Sequence, residues 1–532
     1  MFYFVPYWGK INASTAFDDT VNQIRMFETV QEDTQTIILD YSPQMRCFLH
    51  QQSLSSDKYW SIFDEIQSAK NVRNKILDFT DFSWPKESEF VYTPFRINIV
   101  IDQKLYASIS FGIEGQLSEI NYFDNEKIEK KLIFDDRGFV SSIIYFKNGE
   151  KDYQDYLDLT GIWQIRIKYL TNSESVIVNA QVNNGFEKES YVNLSELIQE
   201  LLTKHFEQEN GLKNSVLVIA ANTKYNQLLL NLKQRPQKIV LSFFKDRYSY
   251  QNSQQRLLEE LSVVDLAVVD TQEQMENIKK LIVSSEMYVA ENKLQHLSPY
   301  DTRFQLGNSQ QHKELKIFLP IQTSSYNNLE YVLNTIINCM IKNKLIYLDI
   351  VCAEQQNIKK LEYHVVEALA KYFHLDYHVV LKCVQIDDES GENKIDQYIG
   401  NDDNIIDQQR AIIELYRRIN VIQTQTEIDI IQAFESARLI IDINQIPNVY
   451  IQIAGISAGI PQINLTKSPY IINKKNGLII QDLSELHEAI EYYLDGLRHW
   501  NESLVYSVKQ ISQYTNGAIV KRWKSVLGEN DG

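Results

Sequence analysis

The stretch ARLIIDINQIPNVYIQIAGISAGIPQINL, Ala437 to Leu465, carries the reading of the fold. The apolar run Leu439 to Ile443 is short enough for a buried strand. It meets Asn444 and Pro447 before a weakly polar run of helical length that stops at Gly459 and Pro461. A second short apolar piece, Gln462 to Leu465, follows at once. The pattern predicts a strand, helix, strand crossover, the unit of a parallel sheet covered on both faces. Ligands of such open sheets sit beyond the carboxyl ends of the strands, so a small-molecule site is expected at the loop Asn444 to Asn448.

The same texture opens the chain. Met1 to Val5 reads as a strand, and Val21, Ile24 and Phe27 in FDDTVNQIRMF, Phe17 to Phe27, are spaced for a buried helix face with Asp18 and Asp19 at its start. The intervening loop, through Gly9 and Ser14, has one glycine and no Gly-x-Gly-x-x-Gly, so it is not a dinucleotide cradle. Thr36 to Leu39 reads as the next strand, followed by loop and helix in DYSPQMRCFLHQQSL, Asp40 to Leu54. From Pro94 to about Asn193 the pattern changes to short alternating segments such as INIVID, LYASISFG and FVSSIIYF, with tight-turn candidates at Asp136 to Gly138 and Lys147 to Gly149. This predicts an inserted antiparallel sheet. A docking surface for partner or glycan and a purely structural insertion both fit that alternation.

The parallel texture resumes with a helix at Asn193 to Phe206, a strand at Val216 to Ala220, and the runs KIVLSFF and VVDLAVVD. Residues 291–313, with Pro299 and Gly307, have linker composition and suggest two domains free to move relative to each other. Ile317 to Ile321 begins a second domain, continued by LIYLDIV, by YHVVLKCV read as a strand, and by GLIIQD; a final helix over Val505 to Val520 is expected to cross back. The expected layout is 1–92 and 194–290 for a first Rossmann-like domain, 93–193 for the inserted sheet, 291–313 for the linker, 314–500 for a second Rossmann-like domain, and 501–532 for the crossing helix and tail.

With these runs in view, Ala437 to Leu465 resembles the donor loop and helix of retaining glycosyltransferases of the GT-B type, an α/β fold of two facing Rossmann-like domains with parallel sheets. In those enzymes one glutamate lies in the loop, another eight residues later on the helix, and the helix closes with Gly-x-Pro. Gly459, Ile460 and Pro461 match the closing segment, and the glutamate positions fall on Ile446 and Ala454. Neither side chain can accept a hydrogen bond from a sugar or ribose hydroxyl. The place where transferring enzymes of this type carry an Arg and a Lys for the donor diphosphate is filled by PIQTSSYNNLE, Pro320 to Glu330, without a cation.

FDDTVNQIRMF, LDYSPQMRCFLHQQ and the opening MFYFVPYW together resemble the first of the three accessory secretory proteins of Gram-positive bacteria, over essentially the whole chain. The missing glutamates and cations point to a non-catalytic, glycosyltransferase-like scaffold, and the resemblance implies that it serves protein export. Its implied partners are the two sister accessory secretory proteins, a dedicated Sec motor ATPase and the glycosylated serine-rich repeat adhesin that they export. An active retaining glycosyltransferase modifying the adhesin is the alternative.

Composition limits the remaining choices. At 532 residues two or three domains are expected, and 44% hydrophobic with 11% aromatic residues fills sizeable cores. Lys plus Arg total 53 against 70 for Asp plus Glu, and the net charge of -17 argues against nucleic-acid binding. Cys47, Cys339, Cys352 and Cys383 are scattered as in a reducing compartment. No apolar run approaches 18 residues, so a cytoplasmic protein with at most peripheral membrane contact is expected.

No catalytic residue, cofactor or metal is expected. His374, Asp376 and His378 read as one face of a sheet entry rather than as ligands, and Ser14, Ser141 and Ser457 lack a nucleophile-elbow pattern. A degenerate cleft keeps its cavity, and in it Asn444, Gln445, Asn448, Gln452 and Ser457 are candidates to hydrogen-bond sugar hydroxyls, with Tyr450 to stack on a sugar face. The competing reading has the polar groups solvating a loop and Tyr450 packed internally.

Overall fold

The computed structural model describes residues 1–9, 17–70, 75–171, 173–182, 185–250, 253–285, 292–303, 306–322, 326–354, 357–390, 403–424 and 426–528. Ser14 lies outside the described residues, as do residues 323–325 of the Pro320 to Glu330 segment.

The opening strand Phe2–Val5 is internal to a seven-stranded parallel sheet. It lies between Thr34–Ile38 and Val216–Ala220, with Tyr59–Ser61 at one edge and Lys238–Phe243, Leu266–Val269 and Leu294–His296 running to the other. Alternation along this strand feeds two cores. Tyr3 and Val5 join Leu217, Ile219 and Leu241 on one face, while Phe2 and Phe4 meet Phe27 and Val218 on the other. The Phe2 and Phe27 rings lie 4.6 Å apart. The helix Asp19–Thr29 starts where the Asp18 side chain accepts from the N–H groups of Thr20 and Val21, an N-cap that satisfies two orphan donors.

Ten antiparallel strands between Glu89 and Tyr191 form a single meander whose spatial order follows the chain. The first of them, Glu89–Tyr92, precedes the boundary expected at residue 93. Ile165, Ile167, Val176 and Tyr191 from its later strands complete a core of the first domain, and Arg137 pins the contact. Arg137 is buried and donates to both oxygens of Asp64, at 2.6 and 3.0 Å, to Asp135, and to the Ala69 carbonyl. The turn beside it requires glycine: Gly138 has φ +87°, and a Cβ there would fall 1.8 Å from the Lys75 carbonyl oxygen.

The second domain is a six-stranded parallel sheet in the order Ile419–Gln423, Ile346–Cys352, Leu315–Pro320, Ala437–Asp442, Gln462–Asn464, Gly477–Ile479. The run YHVVLKCV is not one of its strands. It begins the helix Tyr377–Ser390, because Val380, Cys383 and Val384 share one buried face at helical spacing. His374 sits in the left-handed conformation that closes the preceding helix, and Asp376 accepts from the His378 N–H at 2.8 Å, so the three do not share a strand face. The edge strand Ile419–Gln423 takes the place expected for that run.

Two further expectations change. Residues 291–313 are not a simple linker, since Leu294–His296 completes the first sheet and Tyr300 enters a core shared by both domains. The single crossing helix is two. Leu497–Ile511, which spans the expected division at residue 500, packs on the second domain, and Asn516–Val526 packs on the first. Trp523 stands 5.9 Å from the Phe27 ring, Lys238 donates to the Leu527 carbonyl at 2.7 Å, and Lys524 pairs with Glu32. No described helix is long and apolar enough to cross a membrane.

Candidate functional site

The carboxyl ends of the two parallel sheets face each other across a cleft, and the loop after Ala437–Asp442 divides it. Asp442 ends its strand fully buried and accepts from the Asn444 N–H at 3.0 Å, the Asn444 side-chain amide at 2.6 Å and the Asn448 N–H at 3.1 Å. Burial pushes its carboxyl up to about 6, against those hydrogen bonds. Asn444 is buried as well. Its Nδ2 donates to the Pro320 carbonyl at 3.1 Å and its Oδ1 accepts from the Gln322 N–H at 3.2 Å, tying together the ends of two neighbouring strands. Asn448 caps the next helix, Val449–Ala458, its Oδ1 accepting from the N–H groups of Tyr450 and Ile451.

That helix is apolar on nearly all sides and buried from Tyr450 to Ala458. Gly455 lets it close on the sheet, since a Cβ there would stand 2.7 Å from Ile440 Cδ1. Tyr450 wedges between the domains: its ring meets Phe17 at 4.8 Å and Tyr300 at 5.0 Å, both edge to face, and only 6% of its surface is exposed. Gln452 accepts from Ser468 Oγ at 2.7 Å, and Ser457 is buried further along the helix.

Two cavities flank the loop. One of about 420 Å³ lies between Thr271, Glu273 and Glu276 of the first domain and Gln445, Gln452 and Thr466–Tyr470 of the second. The other, of about 360 Å³, is lined by Phe244, Lys245, Asp246 and Asp270 of the first domain and by Gln322, Asn448 and Tyr450 of the second. Ile446 lines both. Of the residues singled out in the sequence, Gln445, Asn448, Tyr450 and Gln452 therefore meet at cavity walls, whereas Asn444 and Ser457 lie behind them. The first-domain wall has no sequence motif; only its position at strand ends marks it.

The two positions that carry glutamate in the enzymes resembled are apolar in different settings. Ile446 is 54% exposed at the cavity wall, and Ala454 is 2% exposed in a core with Ile453 and Ile456. Among the described lining residues four carboxylates, Asp246, Asp270, Glu273 and Glu276, face two ammonium groups, Lys245 and Lys467, and there is no guanidinium. Burial pushes Asp270 up to about 6 and lowers the Lys245 ammonium. A wall of this sign repels a nucleoside diphosphate and tolerates uncharged or cationic ligands.

Below the cleft the domains are joined. Arg25 of the first domain pairs with Glu427 of the second at 3.1 Å, and Arg303 reaches both Glu427 and Asn22. Tyr300 donates to the Phe17 carbonyl at 2.6 Å, and Tyr470 hydrogen-bonds His296. The expected free movement of the domains does not fit this shared core, because opening it would expose buried aromatic surface.

Comparison with known proteins agrees with this architecture. Residues 2–530 match the family model of the first accessory Sec system protein, accessory secretory protein 1. The member of that family from Streptococcus gordonii is 34% identical over 548 residues, covering 99% of each chain. A chain in the crystal structure of accessory secretory proteins 1, 2 and 3 of Streptococcus pneumoniae superposes with a TM-score of 0.78 at 29% identity, again over 99% of each chain. The pneumococcal O-GlcNAc transferase GtfA, in complex with UDP and GlcNAc, shares the fold at a TM-score of 0.68 and 13% identity, over 99% of this chain and 98% of its own. The GT-B-like architecture expected from the crossover is thus the one present.

Proposed function

Because the chain belongs to the accessory secretory protein 1 family of the accessory Sec system, we propose that it is a non-catalytic scaffold of glycosyltransferase shape that supports export of glycosylated serine-rich repeat adhesin. It assembles with the two sister accessory secretory proteins, as the Streptococcus pneumoniae chain does in its crystal structure. It presents the adhesin to the dedicated motor ATPase from the cytoplasmic side, with at most peripheral contact with the membrane.

The observation that carries the non-catalytic reading is the state of the donor cleft. The loop position holds exposed Ile446, the helix position holds core-packed Ala454, and the walls are acidic where a diphosphate would sit. No carboxylate stands on the loop or helix to stabilise an oxocarbenium-like centre, and among the described lining residues no guanidinium orients a leaving diphosphate. The fold supplies a shape, and function must be argued from the site.

The same cleft suits neutral sugar hydroxyls better than nucleotides, and it supports glycan binding at Gln445, Asn448 and Gln452 over the alternative of an active transferase. Asn444 supports the loop from behind, Ser457 is buried near the far end of the helix, and Tyr450 shapes the wall by packing.

The test is a nucleotide-sugar hydrolysis and transfer assay with the assembled complex and an unglycosylated serine-rich acceptor. No turnover above the buffer control is expected. Turnover abolished by changes between Asn444 and Ala454 would overturn the scaffold reading. Co-purification from the native cell tests assembly: a chain that stays monomeric at micromolar concentration with both sister proteins present contradicts it.

A further inference from the structure

The cavity of about 360 Å³ beside Tyr450 combines aromatic walls with uncompensated negative charge. Phe244 and Tyr300 stand with ring centroids 6.4 Å apart at 78°, and Tyr300 and Tyr450 stand 5.0 Å apart at 86°, all three lining the cavity. Rings set nearly at right angles present faces as well as edges, and an aromatic face attracts a cation. The Phe244 face already does so, since the Lys245 ammonium stands 4.8 Å from its centroid.

The carboxylates complete the picture. Asp270, which follows the strand Leu266–Val269, is only 5% exposed; its Oδ2 accepts from the Lys245 N–H at 3.0 Å, and its Oδ1 has no hydrogen-bond partner. Gln274 is 6% exposed on the same wall, where its Nε2 donates to the Lys245 carbonyl at 3.1 Å and its Oε1 is left without a donor. Asp246 and Glu273 are exposed at the rim. Among the described residues none of these three carboxylates is in an ion pair, and Arg247 is engaged by Asp18 and Asp19. Three carboxylates thus face one ammonium, that of Lys245, along the lining. Buried acceptors without donors are costly, and a ligand that brings N–H groups and positive charge offsets both deficits. A neutral sugar supplies donors without charge. Among the described residues no three acidic, histidine or cysteine side chains converge as metal ligands. An alkyl chain ending in an ammonium uses the rings and the carboxylates together.

We propose that this cavity binds a primary alkylammonium group. The proposal does not rest on the glycan reading, which draws chiefly on Gln445 and Gln452 in the neighbouring cavity. The alkyl chain lies against the Phe244, Tyr300 and Tyr450 rings, the ammonium donates to Asp270 and Gln274, and Asp246 and Glu273 at the rim draw it in. The group can belong to a free diamine or to a lysine side chain, and the experiment separates the two.

The full chain is titrated calorimetrically at neutral pH with putrescine, with N-acetyl-lysine methylamide, and with butanediol as the uncharged control. One equivalent of an amine is expected to bind, and the diol is not. Asp270→Asn weakens amine binding roughly tenfold or more, the loss expected for a charge-assisted hydrogen bond, and Glu273→Gln weakens it by less. Lys245→Met removes the resident ammonium and strengthens binding severalfold. A lysine derivative that binds at least as tightly as putrescine assigns a side chain, and tighter binding of putrescine assigns a free diamine. Absence of amine binding, or diol binding equal to that of putrescine, overturns the proposal. So does amine binding indifferent to all three substitutions, which marks general counter-ion attraction to a chain of net charge -17. Lys245→Met and Glu273→Gln, both at exposed positions, decide the matter should Asp270→Asn fail to fold.

Discussion

Replacing Tyr450 by alanine tests whether aromatic packing holds the two domains together at the cleft. The ring is 6% exposed and stands edge-on to Phe17 at 4.8 Å and to Tyr300 at 5.0 Å, one neighbour from the first domain and one from the segment that joins the domains. Emptying a buried aromatic site costs about 3–5 kcal/mol. The two ring pairs account for roughly 1–3 kcal/mol of that. Tyr450→Phe keeps both pairs and is expected to change stability by about 1 kcal/mol or less in either direction. Urea denaturation followed by circular dichroism and tryptophan fluorescence reads both variants, and for Tyr450→Ala the two signals should also separate as the domains lose their coupling. A sugar-stacking residue would behave otherwise. An alanine variant within about 1 kcal/mol of the parent, with coincident transitions and lost N-acetylglucosamine binding, would refute the packing argument.

The donor positions give a contrasting pair. Ile446→Glu, at an exposed wall, should change stability by about 0.5 kcal/mol or less, while Ala454→Glu, in a closed core, should cost several kcal/mol, on the order of 3 or more, by thermal or urea unfolding; neither should produce sugar transfer. Asn448→Ala removes a helix cap and should cost about 1 kcal/mol by the same measurement. Asp270→Asn addresses pH. The Asp270 carboxyl is pushed by burial up to about 6, so the folded chain holds that proton more tightly than the unfolded one, and stability falls as pH rises from about 4 through 6. The shift corresponds to roughly 3 kcal/mol regained on acidification. The asparagine keeps an oxygen for the Lys245 N–H, so melting temperatures across that range should show a more stable variant at pH 7.5 whose advantage vanishes near pH 4.

The parallel strands were legible because a strand buried on both faces must be apolar along its length. Val216 to Ala220 and Leu439 to Ile441 are apolar without a break for that reason. Tyr377 to Val384 misled for a related reason: adjacent valines favour a strand locally, but burial at Val380, Cys383 and Val384 alone selects the helix. The loop Asn444 to Asn448 was legible as a cavity wall because strand ends in such sheets open onto clefts. The opposite wall, Thr271 to Glu276, was not, since only tertiary pairing of the two sheets brings it there. The role of Asp442 in holding the loop was not legible, because it depends on Asn444 and Asn448 turning back toward it.

Under the proposed scaffold role, the apolar donor positions and the closed domain interface follow one physical logic. A transferase of this shape must admit a nucleotide sugar and release a nucleotide, which favours an interface that opens at low cost. Here Arg25 and Arg303 converge on Glu427 at partly buried positions, and Tyr450 fills the space between Phe17 and Tyr300. Opening would break partly desolvated ion pairs and expose aromatic surface together. A scaffold gains from that resistance, because partner surfaces carried on two domains already fixed in register lose little conformational entropy when they bind. On that reading, features that would jam an enzyme suit the presentation of a surface: an apolar Ile446 at the loop, a close-packed Ala454 on the helix, and a ring locked between domains. The cavities then persist as a consequence of the fold, free to accept ligands that need neither a diphosphate clamp nor a catalytic acid.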